Sequence, residues 1–145
     1  MQALPHQYTA KAIASSSSTV TTKIDNIADL EMAAPANFGG PGDLISPEDL
    51  QTAAVASCLI LSFRAIARAS KLEWEALEVE VNGTLEQVER VVQFTEFHTV
   101  ARLSLPAGSG RDKAVRILEK ADKSCLITNS LKAQSHLEIE IEGGD

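Results

Sequence analysis

Two thiols and one carboxylate supply the chemistry that this sequence offers. Cys58 lies in an apolar run of small residues, Cys125 follows a charged amphipathic stretch, and the chain has only these two cysteines. Glu48 stands at the start of the segment that carries Cys58. Two cysteines and a carboxylate are the parts that a thiol-based peroxidase needs. Two inert core cysteines would give the same inventory, so the surrounding elements must distinguish the two cases.

The composition favours one globular domain over residues 1–145, because 44% of the residues are hydrophobic and can fill a core. The net charge of −7 and the absence of any Lys/Arg cluster argue against nucleic acid and anionic membranes as partners. The N-terminus is unlike a signal peptide, and the longest apolar run, residues 53–63, is too short to span a bilayer. We therefore expect a cytoplasmic protein, in which a cysteine pair is reduced, catalytic or redox-sensing.

The N-terminal third is typical of strands separated by turns. Segments 8–14 and 19–24 flank a run of four serines, and residues 27–33 form a third strand candidate. A loop rich in glycine and proline follows at residues 35–42. It lacks the spacing of a phosphate-binding loop, so we interpret it only as a segment with unusual backbone angles.

A helix start is indicated by Ser46 at the N-cap, Pro47 at the first helical position and Asp49 at the third. The helix is predicted over residues 47–70 and, being apolar on nearly every side, is expected to be buried all round. Its own dipole gives little help to ionise Cys58, which lies in mid-helix. Free cysteine is among the most buried residue types, so Cys58 as a small core residue is an alternative to the reactive thiol.

Glu48 and Cys58 lie ten residues apart on this predicted helix, which is about 15 Å of rise. Glu48 therefore cannot touch Cys58 of its own chain. If both serve one site, Glu48 must come from a second subunit. The alternative is that Glu48 is a first-turn acid that stabilises the helix dipole.

The remaining elements alternate strands with a second helix. A strand at residues 75–83 ends at a predicted Asn-Gly turn, residues 84–105 form one long strand or a broken pair, and a final strand has apolar residues at 137, 139 and 141. The second helix is predicted over residues 109–124, with Cys125 on the face of its apolar stripe. This order of elements is that of an α+β fold.

The three histidines predict no metal site. His6, His98 and His136 have no metal-ligand spacing with one another or with the cysteines. His98 shares a strand face with Glu96 and Arg102, which indicates a solvated face. No metal and no bound cofactor are therefore expected.

Two blocks of sequence together resemble a known family. The first is Ser-Pro-Glu-Asp-Leu at residues 46–50 followed by Ala-Val-Ala-Ser-Cys at 54–58, and the second is Cys-Leu-Ile-Thr-Asn-Ser at 125–130. They resemble the OsmC/Ohr family of hydroperoxide-reducing proteins, which carry an Asn/Ser-Pro-Glu-x-Leu … Ala-x-Ala-x-Cys helix and a second segment that usually reads Cys-Pro-x-Ser. The cysteine spacing and the order of predicted elements also fit that family over nearly the whole chain.

The resemblance implies an α+β, OsmC-like fold with antiparallel sheets around two long central helices, in an intertwined homodimer. It further implies that Cys58 is the peroxidatic cysteine, that Cys125 is the resolving one, and that Glu48 helps to orient the site. The expected substrate is an organic hydroperoxide, and the expected reductant is a thiol or lipoyl compound. Under this hypothesis the two cysteines pass through a sulfenic acid and then a disulfide.

The chain departs from the family at the positions that usually supply an arginine to the reactive thiolate. One such position falls at residues 15–18, which are all serine, and the other falls at Phe38. Leu126 also replaces the usual proline after Cys125. A site without an arginine predicts a less acidic Cys58. The alternative function is therefore a non-catalytic or redox-sensing OsmC-like dimer that binds a small hydrophobic or thiol-reactive ligand.

Overall fold

The computed structural model describes all residues from 1 to 145. They form two compact units, Met1–Leu50 and Gln51–Asp145, and each is described here by itself. The assignment of residues 1–145 to a single domain stays a prediction. The α+β class is confirmed, because groups of strands are separated along the chain by helices.

The first unit is built on a small antiparallel sheet. Its strands are β1 (Lys11–Ile13), β2 (Val20–Lys23) and β3 (Leu30–Met32), in the order β1-β2-β3. The three predicted strands are therefore confirmed, although each is shorter than its sequence pattern. The serine run forms the β1–β2 turn, where the Ser18 hydroxyl oxygen accepts a hydrogen bond of 2.9 Å from the Ser15 N–H.

Helix α1 (Pro47–Ala69) begins at the predicted capping motif. The Ser46 hydroxyl oxygen accepts from the Asp49 N–H at 3.1 Å, and the Asp49 carboxylate accepts from the Ser46 N–H at 3.0 Å. Two N–H groups that the helix leaves without a carbonyl are thus satisfied reciprocally, as in a capping box with Asp in place of Glu. These hydrogen bonds, from the N–H first and then the hydroxyl of Ser46, hold the pKa of Asp49 below its usual range.

The prediction that α1 is buried all round is wrong for the single chain. One stripe is buried, with one residue every four: Val55, Leu59, Phe63 and Ala67. Between these positions Leu61 is 59% exposed. In the second unit Phe63 meets the Trp74 ring edge-to-face with centroids 5.3 Å apart, which adds to the burial of both rings. Other apolar residues outside this stripe, such as Ile60 and Ile66, are only partly buried.

Helix α1 also corrects the expectation that no segment could cross a bilayer. It has 23 residues and is long and apolar enough to do so by length and composition alone. The prediction considered only the uninterrupted apolar run and not the whole helix. Core helices of soluble proteins have the same length and composition.

The second unit is built on a three-stranded sheet with strands β4 (Ala76–Val88), β5 (Val91–Leu105) and β6 (Gln134–Gly143). Strands β4 and β5 form one long hairpin that turns at Glu89 and Arg90, both with positive φ. This geometry suits the twist of a hairpin. Of the two options for residues 84–105, the broken pair is therefore confirmed.

The predicted turn at Asn82 and Gly83 is wrong. Both residues lie inside β4, where they pair with His98 and Phe97 of β5. A Cβ at residue 83 would lie 2.8 Å from the Phe97 ring, so glycine is needed there to admit the ring. The Asn-Gly pair therefore lies where an aromatic ring packs closely against the backbone, and not at a turn.

The antiparallel arrangement expected for both sheets is wrong at one edge, since β6 pairs parallel to β5. Parallel strands need a crossover connection, and here it contains α2 (Arg111–Lys123) and the short α3 (Leu126–Asn129). The apolar stripe predicted for α2 is confirmed. Its members Ala114, Leu118 and Ala121 are buried in the core of the second unit, together with Leu59 and Phe63.

The outer face of this sheet is solvated, as predicted from the alternation on β5. Arg102 donates to Glu80 at 3.1 Å and to Glu140 at 2.9 Å. The Nε2 atom of His98 lies 3.4 Å from a carboxylate oxygen of Glu138 on the neighbouring strand β6. All these groups are exposed, so the pairs contribute little to stability.

We predict that Ser46→Ala lowers the free energy of unfolding by about 1 kcal/mol, because it removes the hydroxyl from the cap of α1. Urea denaturation followed by circular dichroism measures the change. Ser17→Ala, in the exposed β1–β2 turn, is the control and should leave stability unchanged within error. Equal stability of the Ser46 variant and the wild type would contradict the capping role.

Candidate functional site

The two cysteines meet in the second unit, where the middle of α1 contacts the segment after α2. Cys58 is half-buried and Cys125 is 1% exposed, and both are free thiols. The Cys125 thiol donates a hydrogen bond to the sulfur of Cys58. The structure therefore brings together the two residues that the sequence singled out for redox chemistry.

Cys125 is fixed by the short helix that follows it. Its backbone is extended, with φ −65° and ψ 105°, and it forms the N-cap of α3. Its carbonyl oxygen accepts from the Asn129 N–H at 3.0 Å and from the Thr128 hydroxyl at 3.1 Å. The Asn129 amide also donates to the Lys123 carbonyl at 3.1 Å, which ties the segment back to the end of α2. These bonds fix the backbone that presents Cys125 to Cys58.

Burial and four neutral groups set the acidity of Cys58. Burial alone raises the pKa of Cys58, but hydrogen bonds from the Ile127 N–H, the Cys125 thiol, the Ser62 hydroxyl and the Leu126 N–H lower it. The donors outweigh the burial, so the pKa of Cys58 lies below the usual value of a cysteine. At neutral pH a larger share of Cys58 is therefore thiolate, the nucleophilic form.

The expectation that Cys58 is less acidic than the cysteine of a family member with the arginine stays a prediction. No lysine, arginine or histidine is among the groups that shift the pKa of Cys58. The sequence reasoning missed α3, which is only four residues long, and therefore missed its two free N–H groups. It also missed Ser62, although a serine one turn after a helical cysteine lies on the same face.

The pKa of Cys125 shifts in the opposite direction, above its usual value. Burial raises the pKa of Cys125, and it outweighs the lowering effect of the neighbouring Thr128. The hydrogen bond to Cys58 and the negative charge of its thiolate raise the pKa of Cys125 further. Of the two thiols, Cys58 is therefore the one that ionises first as the pH rises.

Glu48 lies in the first unit, in the first turn of α1. It lines a cavity of about 490 Å³ whose other walls include Val20, Met32, Pro35 and Phe38. Since α1 is continuous from Pro47 to Ala69, Glu48 and Cys58 are separated by about 15 Å of helix rise. Glu48 is thus placed against an apolar cavity, and its part in the chemistry of Cys58 stays a prediction.

The paired thiols can carry out two-electron redox chemistry without a metal. A thiolate next to a protonated thiol can be oxidised to a sulfenic acid and then condense with its neighbour to a disulfide. No group of His, Cys, Asp and Glu side chains is arranged to hold a metal ion.

Known proteins resemble this chain in sequence and in structure. The family model described as OsmC-like protein matches residues 40–140. The uncharacterised protein YmaD of Bacillus subtilis (strain 168) is 26% identical over 109 residues, which cover 73% of this chain and 73% of that protein.

Two solved structures share the arrangement of elements. An OsmC-like protein of unknown function from Vibrio cholerae has a TM-score of 0.84 at 18% identity, with 93% of this chain and 99% of that chain covered. An organic hydroperoxide resistance protein from Elizabethkingia anophelis has a TM-score of 0.77 at 20% identity, with 99% of both chains covered. At these identities the likeness shows the fold.

We predict that the two cysteines react with iodoacetamide over different pH ranges. The alkylation rate of Cys58 should rise at a lower pH than that of a free cysteine, because its pKa is lowered. That of Cys125 should rise only at higher pH, because burial raises its pKa. Mass spectrometry of the two peptides after timed quenching measures both rates.

Protein unfolded in guanidinium is the control, in which the two pH midpoints should converge on the ordinary value. A Cys125 midpoint below that of Cys58 in the folded protein would contradict this assignment of the thiolate.

Proposed function

Because the chain belongs to the family of OsmC-like proteins, we propose that it is a thiol-dependent peroxidase that reduces organic hydroperoxides. Its fold is the α+β OsmC-like fold, with two long helices and two sheets. The observation that carries the proposal is the contact between Cys58, whose pKa is lowered, and the protonated Cys125. Organic hydroperoxide resistance proteins with the same fold support it by analogy.

In the first step the Cys58 thiolate attacks the distal oxygen of the hydroperoxide. The S–O bond forms as the O–O bond breaks, so that sulfur loses two electrons and the peroxide gains them. The alkoxide leaves as the alcohol after it takes a proton from water, and Cys58 becomes a sulfenic acid. The neutral groups that lower the pKa of Cys58 support this step, because they favour the ionised form of the sulfur without a cation.

In the second step Cys125 attacks the sulfenic sulfur of Cys58. The S–S bond forms, the S–O bond breaks, and the hydroxide leaves as water with the proton of the Cys125 thiol. An external dithiol, such as a lipoyl compound, then reduces the disulfide by two exchange steps and is itself oxidised. The cycle converts one hydroperoxide and one dithiol into an alcohol, water and a disulfide.

We assign Glu48 to the site of a partner subunit in a homodimer. Two features support this: the helix rise that separates Glu48 from its own Cys58, and Leu61 of α1, which is exposed in one chain. The apolar cavity beside Glu48 offers a surface for the hydrocarbon part of a hydroperoxide. We place the chain in the cytoplasm, where a reduced thiol pair is the ordinary state.

We predict that one equivalent of an organic hydroperoxide removes both thiols of the reduced protein within seconds to minutes. The reason is that the sulfenic acid at Cys58 forms beside the thiol that condenses with it. Intact mass should fall by two hydrogens, and free-thiol titration should fall to zero.

Two variants give the controls for this experiment. Cys125→Ser should stop at the sulfenic acid, with a mass gain of one oxygen, and Cys58→Ser should not react at the same concentration. An unchanged thiol count in the wild-type protein would overturn the peroxidase proposal, and the family's fold would then serve a binding or sensing role.

We predict that two impaired variants recover activity when they are mixed. Glu48→Gln should lower turnover roughly tenfold or more by misplacing the reacting groups, and Cys58→Ser should abolish it. A heterodimer of the two has one site with both wild-type residues if the site is shared. Refolding an equal mixture should therefore recover about a quarter of wild-type turnover by random pairing in a twofold dimer.

Light scattering is the companion measurement and should give the mass of two 15.5 kDa chains. A monomer would rule out the shared site. A dimer with no recovery on mixing would leave Glu48 as a residue that stabilises the first turn of α1.

A further inference from the structure

The cavity of the first unit has one acidic group in an otherwise neutral wall. Its volume of about 490 Å³ lies within the range of roughly 300–1,000 Å³ that small-molecule sites occupy. The first sheet, the loop that follows it and the first turn of α1 line the cavity, and Glu48 is the one ionisable side chain among the lining residues. The Oε2 atom of Glu48 is buried. A carboxylate therefore borders a cavity whose side chains include no cation.

The other polar side chain of the wall, Thr22, adds no positive charge. Its hydroxyl donates to the sulfur of Met32 at 3.1 Å, which leaves the hydroxyl oxygen to accept. The carboxylate of Glu48 likewise accepts hydrogen bonds and does not donate them. The polar side chains of this wall can therefore accept the hydroxyl hydrogen of a ligand, but they offer no charge that would pair with an anion.

We propose that this cavity selects uncharged organic molecules that carry a hydroxyl or hydroperoxide group, and that it excludes carboxylates. The inference rests on the proposed function where it takes such a molecule as the substrate, and it then names the substrate class: neutral alkyl and aryl hydroperoxides, in preference to fatty-acid hydroperoxides. A carboxylate bound beside Glu48 would bring two like charges together where little water screens them. An uncharged chain avoids this repulsion and gains from the burial of its hydrocarbon.

Phe38 is the residue at which this selectivity can be changed by substitution. Its ring lines the cavity, and the residue lies in a single 3₁₀ turn, Ala36–Phe38, outside the sheet. The side chain is 59% exposed and adds little to the core, so a substitution there alters the wall without removing a core residue. Phe38→Arg places a cation on the cavity that Glu48 borders, whereas Phe38→Leu keeps the wall neutral and apolar.

Binding of 1-octanol and of octanoate is the direct test, because the two ligands share an eight-carbon chain and differ in charge. Isothermal titration calorimetry of the reduced protein at neutral pH measures both affinities. We expect octanol to bind more tightly than octanoate by roughly tenfold or more, because bringing like charges together is costly. The affinity should also rise roughly fourfold for each CH₂ group from hexanol to octanol, since each methylene buries more hydrocarbon.

Phe38→Arg and Phe38→Leu are the matched variants. Phe38→Arg should abolish or reverse the preference for octanol, because its cation pairs with the octanoate carboxylate, and Phe38→Leu should keep the preference of the wild type. Glu48→Gln keeps the shape of the side chain and removes its charge, so it should narrow the gap by raising the affinity for octanoate. A thermal melt of each variant separates a change in selectivity from a loss of fold.

Equal binding of the two ligands by the wild type, or no binding of either, would overturn the proposal. So would an unchanged preference in folded Phe38→Arg, and if that variant does not fold, an unchanged preference in Glu48→Gln decides in the same way. Neither ligand is a peroxide, so these outcomes are independent of turnover.

Rates of thiol loss with a fatty-acid hydroperoxide and with its methyl ester extend the test to the reaction. The ester should react faster by roughly tenfold, for the same electrostatic reason. Equal rates would uphold the peroxidase and overturn the selectivity. A preference for octanol in a protein that reacts with neither hydroperoxide would uphold the selectivity and reject the peroxidase.

Discussion

The burial of one stripe of α1 fixes the position of every other group at the site. Leu59 and Phe63 enter the core of the second unit with Ala101, Leu103 and Leu118. Cys58 and Ser62 each come one residue before a stripe position, so they lie at its border and are half-buried. This border is dry enough to strengthen hydrogen bonds to a charged sulfur and open enough for a reagent to reach it. A rotation of α1 by one residue would bury the thiol or expose it fully.

The paired cysteines show how a fold can separate the acidities of two identical groups. Both sulfurs pay a desolvation penalty, which raises the pKa of each. The difference comes from the number of donors aimed at each sulfur and from the direction of the bond between them. A negative charge on one sulfur disfavours ionisation of the other. A small difference in hydrogen-bond donors therefore decides which of the two thiols ionises first. No separate base and no metal is required for this asymmetry.

Sequence reasoning found the strands, the capped start of α1, the apolar stripe of α2 and both cysteines, because each leaves a local pattern. It misplaced the hairpin turn, since glycine at residue 83 makes room for an aromatic ring that only the folded sheet brings there. It missed the parallel pairing of β6, because alternation along a strand is the same in either direction. It also missed the donors at Leu126 and Ile127, which carry no side-chain signal. Local patterns therefore identified the reactive atoms, while their environment came from contacts between distant segments.

The parallel edge of the second sheet has a consequence for how the chain reaches its reactive form. Strand β6 can pair with β5 only after the long connection between them has closed, and such non-local closure is slow compared with helix formation. Cys125 lies inside that connection. A nascent or partly unfolded chain therefore carries two ordinary, separated thiols, and the two cysteines are brought together only when this connection has closed. The lowered pKa of Cys58 is then a property of the finished fold and not of the local sequence.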